Sequence, residues 1–103
     1  MMLSRLTAEN FAPFIGMTIA LTGDDDPVEA VLKEIVHHPK TAAPNAVRGA
    51  FSLILSVRQD SFSEVTGGHY IIVCDGLGPI GPVYIERVLS FETGIICLEI
   101  VFN

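Results

Sequence analysis

Val28 to His38 reads V-E-A-V-L-K-E-I-V-H-H, and whether it is helix or strand decides the fold. Val28, Val31, Leu32, Ile35 and Val36 recur at the spacing of one helix face. Asp26, Pro27 and Glu29 just ahead make a good helix start. The β-branched content points the other way, because such side chains are stiff at χ1 and suit a pleated surface. These residues alone leave two folds open, an all-β chain or an α+β chain with a helix at Val28–Val36.

The next informative stretch, Thr66 to Ile85, is T-G-G-H-Y-I-I-V-C-D-G-L-G-P-I-G-P-V-Y-I. His69 to Cys74 is apolar and β-rich between Gly67-Gly68 and Asp75-Gly76, so it reads as a strand between turns. Tyr70, Ile72 and Cys74 then share one face and His69, Ile71, Val73 and Asp75 the other. Both faces are largely apolar, which predicts cover on both sides. Gly76 to Pro82 reads as a stiff loop, since Pro79 and Pro82 fix φ and lack donors, and as such it should not join a ladder. It leads into the strand-like Val83 to Val88 and not into a helix, so it is no phosphate cradle.

Elsewhere, Thr7 (or Ser4) is a candidate N-cap for a short turn that Pro13 ends, with Phe11, Phe14 and Ile15 as anchors. Gly16 opens a strand in which Met17, Ile19 and Leu21 alternate with Thr18, Ala20 and Thr22. Gly23 to Pro27 is a polar turn whose three aspartates lack the ligand spacing of a calcium loop. Pro39 to Gly49 is the longest loop, and Arg58 to Thr66 a polar connection anchored by Phe62 and Val65. Ala50 to Val57 alternates, with Phe51, Leu53, Leu55 and Val57 inward and Ser52 and Ser56 outward beside Ile54. Glu92-Thr93-Gly94 turns the chain into Ile95 to Phe102, where Ile96, Leu98, Ile100 and Phe102 share a face.

Six strands joined by Gly/Pro/Asp turns predict an all-β domain. A small six-stranded antiparallel barrel, or a barrel-like sheet, with a short N-terminal helical turn is the economical way to remove exposed edges. The 103 residues suffice for one β-domain over 1–103 and one modest core.

Half the residues are hydrophobic and only 17% are charged, against ~25% in soluble domains generally. That shortage suggests apolar surface covered by a partner or a second copy. A formal charge of −6 argues against nucleic acid. No apolar run approaches the ~20 residues of a membrane helix, and Met1 to Asn10 lacks a signal-peptide core. The expectation is a cytoplasmic chain with no membrane span, its two cysteines, Cys74 and Cys97, reduced.

The sequence predicts no catalytic, cofactor-binding or metal residues. His37, His38, His69, Cys74 and Cys97 lack zinc-ligand spacing, and adjacent His37 and His38 face opposite ways on a strand. Cys74 and His69 lie on opposite faces, which separates a nucleophile from its base. Ser52, Ser56 and Ser63 lack a nucleophile elbow. Glu86 and Glu99 sit on strands that could be neighbours, with Arg87 expected to balance one of them. The apolar tip of the central loop, Leu77, Gly78, Pro79 and Ile80, together with Tyr84, is the expected interaction surface.

A family pattern bears on the open choice. F-S-L at Phe51 to Leu53, G-x-Y at Gly68 to Tyr70, L-G at Leu77-Gly78, E-x-V-F-N at Glu99 to Asn103 and the opening L-T-x-x-x-F at Leu6 to Phe11 together resemble a family of small uncharacterised bacterial β-domains. The resemblance implies a strand at Val28 to Val36, and an association with phage-tail-collar-like proteins. It carries no functional residues. The chain departs from it in the G-L-G-P-I-G-P loop and in lacking a tyrosine before E-I-V-F-N. The functional expectation is a non-catalytic structural or interaction module, self-associating or docked on a larger protein, such as an accessory to phage-tail-like proteins. The alternative is a ligand-binding barrel or hydrolase-like enzyme whose mouth would use His69, Asp75 and Glu86.

Overall fold

The computed structural model describes residues 6–23, 27–38, 50–58, 67–90 and 92–102. Helix α1 spans Ala8–Phe11 and runs into a 3-10 turn at Ala12–Phe14. Six strands follow: β1 Thr18–Thr22, β2 Val28–His38, β3 Ala50–Arg58, β4 Gly67–Cys74, β5 Gly78–Val88 and β6 Ile95–Phe102. They close into an antiparallel barrel in the order β1-β2-β3-β6-β5-β4. The chain lays down β1, β2 and β3, crosses so that β4 pairs with β1, and returns through β5 and β6 to seal against β3.

Val28 to His38 is therefore strand, and its helical spacing has a structural cause. Leu32 pairs with Leu55 but Glu34 pairs with Ile54, so one extra residue bulges from β2. Ala30 and Leu32 point into the barrel before the bulge, and after it the phase shifts so that Ile35 packs on the core. The inward step from Leu32 to Ile35 is three residues, as on a helix.

β3 and β6 keep the strict alternation of their sequences. Phe51, Leu53, Leu55 and Val57 meet Ile96, Leu98, Ile100 and Phe102, all buried. At one end, Phe11 of α1 enters the core beside Phe51 and Phe102, with ring centroids 6.0 and 5.5 Å away. Thr7 caps that helix, its backbone N–H donating to Asn10 Oδ1 at 2.8 Å. Phe14 packs on the core, but Ile15 and Met17, expected inside, are exposed because the chain leaves the turn outside the barrel before β1 begins.

The largest correction falls on the central loop. Gly78 to Pro82 belongs to β5, and only Asp75 to Leu77 turns. Leu77 N–H closes that turn on Cys74 O at 3.0 Å, with Gly76 at φ 92°. Pro79 pairs with Val73 despite its missing donor. It can do so because the β6 ladder covers only Ile85 to Val88 of β5, leaving the first half bonded on the β4 side alone. Between Tyr70↔Val83 and Ile72↔Ile80 the register slips by one, and Gly81 and Pro82 fill the bulge. Gly81 has φ 139°, and a Cβ there would lie 2.8 Å from Tyr70 O.

The turn at 24–26, the loop over 39–49, the connection over 59–66 with Phe62, Ser63 and Val65, and Ser4 lie outside the described residues.

Candidate functional site

The inside of the barrel is set by the alternation just described, and among the described residues Ser52 is the only fully buried polar side chain. Ser52 lies on the outward side of β3, so the interior-facing core is hydrophobic throughout. His69, Asp75 and Glu86, the groups considered for a polar mouth, are all exposed, and none points into the core. His69 instead packs edge-on against Tyr84 outside the barrel, with centroids 5.2 Å apart.

Other sequence candidates are separated by the same topology. Cys74 on β4 and Cys97 on β6 have β5 between them and are free thiols. Burial pushes the Cys74 thiol up to about 11, which makes it a packing residue and a poor nucleophile. The Cys97 thiol is also raised, first by burial and then by Glu99, Glu34 and Glu92. His37 is exposed while His38 turns to Ser52, and no group of three His, Cys, Asp or Glu able to hold a metal occurs among the described residues. An open groove of about 260 Å³ beside Cys97 is lined by Lys33, Ser56, Ser90 and Glu92 as well as by apolar groups, and gathers no convergent set of polar atoms.

The five residues expected to form an exposed tip divide. Ile80 is fully buried, because its position in β5 points it into the barrel opposite Ile72. Leu77 packs partly on the core and Gly78 is half-buried in the strand. Pro79 and Tyr84 are exposed, and they belong to a different surface.

That surface is the outer wall of β1, β4, β5 and β6. Val73 is paired on one side with Ala20 and on the other with Pro79. Ile71 follows two residues away on the same face, opposite the bulge that presents Pro82. Tyr84 precedes Ile85 and Val101 follows Ile100, so the Ile85↔Ile100 pair brings these two side chains together on the outside. Val73, Tyr84 and Val101 retain 39%, 52% and 48% of their accessible surface. The apolar outer face of β4 is thus partly open, with Val73 exposed and Ile71 half-buried, and not fully covered as expected. Val73, Val101, Ile71 and Pro82 were missed in the sequence because an apolar outer face looks the same whether another layer covers it or not.

Carboxylates bound this wall. Glu86 and Glu99 are direct cross-strand partners at one end, and Asp75 stands in the turn at the other. Arg87, expected to balance one glutamate, pairs in register with Leu98 on the other side of its strand. Among the described residues no ion pair involves Glu86, Glu99 or Arg87.

A model of the family described as "Domain of unknown function (DUF6916)" matches residues 6–102, from just before α1 to the last residue of β6. The chain belongs to the DUF6916 family. Its match covers every strand of the barrel, so the wall and its acidic ends lie within the DUF6916 domain. No curated protein and no solved structure matches the chain. Among the described residues of this DUF6916 domain no helix is long and apolar enough to cross a membrane.

Proposed function

We propose that this domain is a protein-interaction module whose contact surface is the largely apolar outer wall of β1, β4, β5 and β6. One observation carries the reading: Val73, Tyr84 and Val101 are exposed on this face, with Ile71, Pro79 and Pro82 beside them and His69, packed on Tyr84, as a titratable group among them. Four strands at ~4.8 Å and about five residues at ~3.3 Å give a wall of roughly 300 Å². Apolar patches of that size are often functional.

The partner meets the face of the sheet and not its edge. A closed barrel leaves little edge to extend. The half of β5 that β6 leaves unpaired carries Pro79 and Pro82, which have no N–H to offer an added strand. A narrower form of the proposal, an accessory to phage-tail-like proteins, rests on the sequence resemblance alone, and gene neighbourhood tests it.

Light scattering and crosslinking of the purified chain test the main reading. Tyr84→Asp with Val101→Asp should leave the barrel folded and abolish any self-association or partner capture. Association unchanged in the folded double variant would overturn the assignment of this wall.

A further inference from the structure

We infer that the wall docks a partner protein whose apolar contact is flanked by arginine or lysine, and that Glu86 and Glu99 receive the basic side chain. The inference rests on the interaction reading above and names the chemistry of the partner.

Its first support is area. A standard interface removes ~800 Å² from each side, more than twice the roughly 300 Å² of the wall. A partner centred on Tyr84 and Val101 therefore extends onto the adjoining residues, which along β5 and β6 are Glu86 and Glu99.

Its second support is the state of those two carboxylates. Like charges directly opposite on neighbouring strands destabilise a sheet. Glu86 and Glu99 hold that position with no ion pair among the described residues. The negative field extends beyond the pair, for Glu99 and Glu34 both act on the Cys97 thiol. A guanidinium or ammonium placed between Glu86 and Glu99 relieves the repulsion, and the exposed ring of Tyr84 two residues along β5 offers it a second contact.

A second copy of the chain satisfies this less well. The wall is acidic at both ends, Glu86 and Glu99 at one and Asp75 at the other. Two copies laid wall to wall bring carboxylates toward carboxylates whichever way they are turned, and each chain carries −6 overall.

The test uses the full chain and two synthetic decapeptides, one alternating leucine with arginine and one alternating leucine with glutamate, followed by backbone NMR shifts. The leucine–arginine peptide should move the amides of Tyr84, Glu86, Glu99 and Val101, and the leucine–glutamate peptide should not. Glu86→Gln with Glu99→Gln should weaken binding about tenfold, while Glu9→Gln, an exposed carboxylate on α1, should change it less than twofold. Shifts spread over the whole surface, or equal weakening by Glu9→Gln, would mean attraction to net charge only and would overturn the inference. Equal binding of both peptides at the wall, or a dimer in light scattering that Tyr84→Asp splits, would overturn the inference and leave the interaction reading standing. A monomer that binds neither peptide at the wall would defeat both.

Discussion

Ser52 Oγ lies 2.8 Å from His38 Nε2, and the serine is completely buried although its strand turns it outward. Val36, not His38, is its register partner, so the imidazole reaches it diagonally across β2 and β3. The alternation of β3 alone marks Ser52 as a cheap solvent-facing position. The structure makes it a buried hydroxyl whose side-chain partner is a histidine. Ser52→Ala should therefore cost about 1–3 kcal/mol, measured by urea unfolding, with Leu53→Ala at about 2–5 kcal/mol for comparison. A Ser52→Ala change indistinguishable from wild type would show that the contact contributes nothing.

Ile80 and Tyr84 lie four residues apart on β5 and should respond oppositely to the same substitution. Ile80→Asp places a carboxylate among fully buried apolar side chains and should unfold the barrel. Tyr84→Asp changes a side chain that is half exposed and should leave the far-ultraviolet dichroism of a β-protein intact. Folded Ile80→Asp would mean that β5 is out of register by one.

Gly81→Ala tests the bulge. The backbone there sits at φ 139°, and the new Cβ would lie 2.8 Å from Tyr70 O and 3.0 Å from Val83 N. A loss of about 1–3 kcal/mol is expected from strain at a position that side chains rarely adopt. Gly76→Ala has an unfavourable φ as well but open space around it, and should cost less. Thermal melts of the two variants side by side give the comparison.

The two thiols set a pH dependence. In the folded chain Cys74 is raised from 9.0 to about 11, because burial disfavours the thiolate. The stability this represents is fully present below about pH 9 and is lost as pH rises toward 11. Unfolding midpoints should fall across that window, and less steeply in Cys74→Ala. With iodoacetamide at neutral pH Cys74 should stay unmodified, while the partly exposed Cys97 reacts slowly. Glu99→Gln should speed Cys97, since Glu99 is one of the charges that hold its thiol protonated.

Relief of the Glu86–Glu99 repulsion has a reading in the isolated chain. Glu86→Gln should stabilise the barrel by roughly 0.2–1 kcal/mol, seen as a raised melting midpoint that high salt reduces. A lower midpoint would mean that the glutamate makes a favourable contact.

The sequence by itself determined the elements whose information is local. Strict alternation on β3 and β6 placed eight core side chains on the inward faces where the structure has them. Thr7 and Pro13 bracketed helix α1, and six strands joined by Gly/Pro/Asp turns called for closure. Only the tertiary structure decided what depends on a neighbouring strand. The bulge in β2 shifts the inward phase between Leu32 and Ile35, and so gives a strand the spacing of a helix. Pro79 and Pro82 sit in β5 because β6 leaves that half of the strand unbonded on one side, a fact no window around the prolines contains. Ser52 is buried by what lies across β3, and Glu86 meets Glu99 because β5 returns beside β6 at one particular register. Side-chain period belongs to the chain, but register, bulges and outer cover belong to pairs of strands. The apolar face of β4 was legible as apolar, and only the closed barrel showed that it faces outward and is left partly exposed.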